Sequence, residues 1–181
     1  MSTTYVALLR AVNVAGCKVP MADLRRHLDG SAFGPVRTYI QSGNLLFDSA
    51  GGPPDELSRA LSARLEADLG LVTTVVLRSA EELARVVAAN PFPEVDPATV
   101  HVTFLAEAPD PARVAAFEPP AAVTDRWSIG TGQVYLHCPD GYGRTKLTTG
   151  LFERRLGVAA TTRNWRTVVT LAELAGAGRP G

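Results

Sequence analysis

VRTYIQSGNLLFDS, residues 36–49, decides the fold. Before its turn, Val36, Thr38 and Ile40 fall on one face of an extended chain, and Arg37, Tyr39 and Gln41 fall on the other. Ser42-Gly43-Asn44 turns the chain, and Leu45-Leu46-Phe47 returns as the partner strand. A tight hairpin needs a glycine and one small polar residue. Gln41, Ser42 and Asn44 supply three side chains that both donate and accept hydrogen bonds. The stretch is therefore either a heavily furnished turn or one wall of a polar site.

Working outward, Tyr5-Val-Ala-Leu-Leu9 is apolar on both faces and reads as a central strand. Pro20 suits the first turn of a helix running through His27 and Leu28 and stopped by Gly30. After Gly51-Gly52-Pro53-Pro54, Leu57, Leu61, Leu65 and Leu69 recur at period four in an amphipathic helix closed by Gly70. Val72 to Leu77 is a β-branched strand. The order β-α-β-β-α-β is the split unit of a ferredoxin-like sandwich.

The second half repeats this in part. Glu81 to Ala89 reads as a helix ended before Pro91, and Val100 to Leu105 as a strand. Pro111 to Phe117 is a short helix, and Arg126–Ile129 with Gln133–His137 forms a hairpin around Gly130-Thr131-Gly132. Helices follow from about Lys146 to Leu156 and from near Asn164, the last with Trp165, Val168, Val169 and Ala172 on one side. The expected fold class is α+β, with a ferredoxin-like β-α-β-β-α-β N-terminal half packed against a second α+β subdomain of partly similar β-α-β-β-α order. The expected divisions are 1–78, a connecting helix and loop at 79–98, the second subdomain at 99–175 and a loose tail at 176–181.

Zero formal net charge, with 46% hydrophobic and 20% charged residues, marks an ordinary globular chain and weighs against binding nucleic acid by general electrostatics. Two distant cysteines, Cys17 and Cys138, fit a reducing cytoplasm rather than a disulfide framework. The YVALL run is too short for a signal-peptide core, and no stretch approaches a membrane span, so a cytoplasmic protein with no membrane partner is expected. Nothing in the residues sets an oligomeric state or calls for a cofactor. His27, His101 and His137 share no metal-ligand spacing.

Three stretches carry the candidate chemistry. In PDGYGRTKL, residues 139–147, Arg144 and Lys146 are expected at a helix start, where unpaired backbone N–H groups favour an anion. Tyr142 lies in the same stretch. The order Gly143-Arg-Thr-Lys146 is not that of a phosphate-binding P-loop, and the alternative is a solvated loop with Thr145 as helix cap. In TTRNWRTV, residues 161–168, Thr162 or Asn164 would cap the final helix, Arg163 and Arg166 flank its positive end, and the Trp165 indole is expected to pack in a core. In LLRAVNV, Arg10 and Asn13 follow the first strand at the sheet end that also holds Gln41, Ser42 and Asn44. Ser42 lacks a nucleophile-elbow setting, and SGNLLFDS does not match the aromatic pattern of an RNA-recognition sheet.

The segments LLRAVNVAGCKVPMADLR, VRTYIQSGNLLF, NPF, VYLHCPDGYGRTKL and ERRLGVAATTRNW, taken in this order, resemble the domain-of-unknown-function 1697 family of bacterial proteins. The resemblance spans almost the whole chain and implies a two-part α+β fold with a ferredoxin-like first half. It implies no established activity. Its signature positions fall on Arg10, Asn13, Gln41, Ser42, Gly43, Asn44, Lys146, Arg163, Asn164 and Trp165. Ala11 and Ala15 stand where the family tends to have glycine, which restricts close backbone approach in the first loop.

The expectation is then a protein that binds an anionic, phosphate- or carboxylate-bearing ligand in a cleft between its halves. Arg144, Lys146 and Arg163 would hold the charge, and Asn13, Gln41, Ser42 and Asn44 would orient the ligand. The alternatives are an enzyme acting on a phosphorylated or nucleotide-like substrate with Lys146 or Tyr142 as acid or base, a structural protein, and a nucleic-acid-binding module.

Overall fold

The computed structural model describes residues 2–10, 20–29, 33–40, 43–50 and 52–177. The chain is α+β, as expected, and divides into two compact units. The first is Met1–Arg85 with Leu171–Gly181, and the second is Val86–Thr170.

The first unit runs β1 (Thr3–Leu9), α1 (Met21–Leu28), β2 (Arg37–Tyr39), β3 (Asn44–Ser49), α2 (Pro54–Leu69) and β4 (Val75–Ser79). Its sheet order is β2-β3-β1-β4, with every neighbour antiparallel, which is the ferredoxin-like arrangement. Helix α2 forms where the leucine ladder places it. Pro54 opens it, Asp55 and Glu56 sit in its positive first turn, and Gly70 closes it in the left-handed region at φ 62°. Leu61 and Leu65 are buried against Ala7, Leu9, Leu45, Phe47 and Leu77, one face of the sheet. The strand expected from Val72 begins only at Val75, because the Leu71 N–H bonds back to the Leu65 carbonyl (3.2 Å) and keeps the chain in the helix cap.

Helix α3 (Ala80–Ala88) leads into the second unit: β5 (Val100–Leu105), α4 (Pro111–Ala115), β6 (Arg126–Ile129), β7 (Gln133–His137), α5 (Thr149–Leu156), β8 (Ala160–Asn164) and α6 (Trp165–Gly176). Strands β5, β6 and β7 occupy the residues expected for them. Strand β8 is a correction. The expected β-α-β-β-α order assigned no strand before the last helix, whereas Ala160–Asn164 is an edge strand paired antiparallel with β5, His101 opposite Asn164 and Leu105 opposite Ala160. The sheet order β6-β7-β5-β8 therefore repeats the first sheet strand for strand, and the second half is a complete β-α-β-β-α-β unit.

The correspondence reaches single hydrogen bonds. At the end of β1, Leu9 N–H donates to the Gly43 carbonyl (2.8 Å) and Arg10 N–H to Thr74 (3.0 Å). At the end of β5, Leu105 N–H donates to Gly132 (2.9 Å) and Ala106 N–H to Ala159 (2.8 Å). The hairpins differ. Tyr39 pairs with Asn44, so Asn44 belongs to β3, and the chain has already left the strand at Ile40, φ 50°; Ser42 of the expected turn lies outside the described residues. In the second unit the Gly130 N–H bonds the Gln133 carbonyl (2.8 Å) across Thr131-Gly132 alone.

Candidate functional site

Arg10 and Asn44 lie at the same end of the first sheet, since Leu8, two residues before Arg10, pairs with Asn44. By strand alternation both fall on the face away from α1 and α2. Asn44 is fully buried, and its Nδ2 donates to the Tyr39 carbonyl (3.1 Å), so part of its amide holds the turn. Asn13, Gln41 and Ser42, which complete the polar wall expected here, lie outside the described residues.

The matching end of the second sheet is apolar. A groove with a cavity volume of about 720 Å³ lies between Pro109, Pro111 and Val114 on one side and Ile129 and Thr131 on the other.

The chemistry of the second unit gathers instead where β5 begins. His101 faces α5 from β5, and its ring stacks on Tyr142 at 4.6 Å between centroids and 21° between planes. Tyr142 stands in a 3-10 turn, Tyr142–Arg144, after β7. Its hydroxyl lies 3.1 Å from Thr149 Oγ1, Thr149 Oγ1 lies 2.7 Å from Thr162, and Thr162 Oγ1 lies 2.8 Å from Thr103. Four hydroxyls thus run in series from the 3-10 turn through the start of α5 to β8 and β5. Burial pushes the His101 imidazole below the usual histidine range, opposed by a hydrogen bond with the Thr99 backbone, so the ring is neutral at pH 7. Its Nδ1 is buried with no hydrogen-bond partner.

The connection carrying Arg144 and Lys146 is fixed at several points. Thr145 Oγ1 donates to Asp125 (2.6 Å) and accepts from the Leu147 N–H (2.9 Å). Lys146 Nζ donates to the Ala121 carbonyl (3.1 Å), and Leu147 is fully buried. The helix expected from Lys146 begins at Thr149, because Thr148 has the extended cap conformation and accepts from the Leu151 N–H (3.2 Å). Arg144 and Lys146 are therefore upstream of the helix start rather than on its first amides. Both are exposed, and neither forms an ion pair among the described residues.

Arg163 does not join them. Residues alternate along β8, and Thr162 takes the face that meets α5, so Arg163 stands on the opposite face of the sheet. It is 8% exposed and donates from Nη1 to Thr161 Oγ1 (2.7 Å) and to the Thr162 carbonyl (2.9 Å). Burial pushes the guanidinium down to about 10, still charged at pH 7. Asn164 caps α6 as expected, Oδ1 accepting from the Thr167 N–H (2.9 Å), and Trp165 is half-buried. Cys138 lies in the core of this unit, where burial first and the nearby Asp125 second push its thiol up to about 11, too high for a nucleophile at neutral pH. Among the described residues no three His, Cys, Asp or Glu side chains come close enough to share a metal ion. No helix among them is long and apolar enough to cross a membrane.

The sequence reading weighed His101 only as a metal ligand and passed over Thr103 and Thr149. Their importance rests on the pairing of β5 with β8, which the missed strand had hidden.

Comparison with known proteins bears on fold and family. The chain is similar to the solved structure of conserved bacterial protein SP0830 from Streptococcus pneumoniae, with TM-score 0.77 and 24% sequence identity, over 97% of this chain and 99% of that one. At that identity the likeness speaks for the fold alone. A search of curated proteins finds no match. The family described as Protein of unknown function (DUF1697) matches residues 2–135, a span that holds the 36–49 hairpin and β5 and ends before the Tyr142 connection. The chain belongs to this DUF1697 family.

Proposed function

We propose that the protein binds a small oxyanion ligand, a phosphate or carboxylate, at the 139–149 connection of its second unit. One observation carries this reading: Arg144 and Lys146 are exposed and free of ion pairs, on a backbone held in place by Tyr142, Thr145 and Thr149. A fixed backbone lowers the ordering cost of binding, and an ammonium that gives one of its three donors to Ala121 keeps two for a ligand. Isothermal calorimetry with inorganic phosphate and with citrate tests it. Arg144→Ala and Lys146→Ala should each weaken the better ligand about tenfold. Unchanged affinity in both variants, or no heat of binding in the unaltered protein, removes the reading.

A second reading, an enzyme acting on a phosphorylated substrate, is favoured by the neutral His101 stacked on Tyr142. An imidazole kept unprotonated beside an oxyanion site is suited to general-base work. Hydrolysis of p-nitrophenyl phosphate that His101→Asn abolishes while phosphate still binds would separate it from a binding protein.

A further inference from the structure

The four hydroxyls Thr103, Thr162, Thr149 and Tyr142 carry four protons and share three hydrogen bonds, so one proton is spare. Thr103 is fully buried and has Thr162 as its one partner, so its proton goes to Thr162. Thr162 and Thr149 each already join two hydroxyls. A spare proton on either would need a third partner, and the structure gives neither one. Tyr142 has a single hydroxyl partner, so its oxygen can accept from Thr149 while its own O–H is directed elsewhere.

We infer that the chain is donated in one direction, Thr103 to Thr162 to Thr149 to Tyr142, and that it leaves the Tyr142 O–H as a recognition donor for an oxygen of the anion held by Arg144 and Lys146. The inference rests on the reading of the preceding subsection for its ligand and on the hydroxyl series alone for its direction. A phenol whose oxygen already accepts a hydrogen bond donates more strongly. Thr103, buried at the far end, is thus a positioning residue that touches no ligand. The preferred ligand presents an unprotonated oxygen to Tyr142, a phosphate or carboxylate rather than an amine.

Two measurements test this separately. Neutron diffraction from crystals of the whole chain grown in deuterated solvent locates the hydroxyl deuterons without any ligand. The expected map has the Thr103 deuteron directed at Thr162 and the Tyr142 deuteron directed away from Thr149. A Tyr142 deuteron directed at Thr149 overturns the inference. Calorimetry with inorganic phosphate supplies the second arm. Tyr142→Phe should weaken phosphate about tenfold, Thr103→Val by a smaller factor, and Thr103→Ser should restore the original affinity. The double variant Thr103→Val, Tyr142→Phe should bind no more weakly than Tyr142→Phe alone. If Thr103→Val weakens phosphate equally in both backgrounds, Thr103 does not act through Tyr142 and the inference falls. If phosphate binds none of the proteins while the deuterons lie as expected, the direction stands and the oxyanion reading is what fails.

Discussion

At the end of β1 the first sheet carries Arg10, Gly43 and the buried amide of Asn44, while at the matching end of β5 the second sheet carries Thr131-Gly132 and an apolar groove. The main-chain bonds at the two ends correspond one to one. What differs is the side chains. Strand order and register are thus held by backbone pairing and by the apolar faces, and neither requires a particular chemistry at the sheet ends. The second unit places its polar groups at the other end of its sheet, around His101 and Tyr142.

The comparison can be broken most forcefully in the two cores. Leu61 in α2 and Phe152 in α5 are each fully buried in the core of their own unit, so Leu61→Ala should cost about 2–5 kcal/mol and Phe152→Ala about 3–5 kcal/mol. Both tryptophans, Trp127 and Trp165, belong to the second unit, so indole fluorescence follows that unit while circular dichroism follows both. Helices α3 and α6 each run from one unit into the other, and the two probes should therefore melt together in either variant. Separate transitions would make the units independent.

A finer test uses the glycines that close the second helix of each unit, Gly70 at φ 62° and Gly157 at φ 76°. Alanine at either should cost about 1–2 kcal/mol by denaturant melts, because an L-residue is strained there. A Cβ on Gly157 would also come within 2.9 Å of Arg113 Nη1, but that is the end of a flexible side chain and should swing aside for little extra cost. Near-equal losses would confirm that the two caps are equivalent. A much larger loss at Gly157 would mean that Arg113 is fixed.

The smallest effect concerns a feature of the second unit. His101 binds its proton less well folded than unfolded, so below about pH 6.5 the unfolded state takes up more protons and stability falls as the pH drops. Melting temperatures from pH 7 to pH 5 should decline less steeply in His101→Phe, which keeps an aromatic ring against Tyr142. An equal slope in both proteins would place the pH dependence in other groups.

Much of this architecture was legible because its elements announce themselves. The ladder Leu57, Leu61, Leu65, Leu69 gave α2, and the apolar alternation of β5 and β7 gave their limits. Strand β8 escaped because Ala-Thr-Thr-Arg-Asn has little apolar content; its burial comes from lying beside β5. The start of α5 was misplaced because two threonines can cap, and only the folded chain engages Thr145 with Asp125 and leaves Thr148 for the helix. The early turn at Ile40 was equally hidden, since φ 50° is unusual for a β-branched residue and no pattern announces it. Tyr142, Arg144 and Lys146 were singled out from their own stretch, but His101 and the three threonines are scattered along the sequence and meet only through pairing and stacking.

Strand β8 passes into α6 with no intervening residue, Asn164 ending the one and capping the other. The joint works as a key in a keyway. One residue added between Asn164 and Trp165 would turn the helix by about 100°, carrying Val168, Leu171 and Ala175 out of their buried positions. An edge strand with few apolar side chains to fix its register is thereby indexed by the helix that follows it, and insertions should be tolerated almost anywhere in this unit before they are tolerated there.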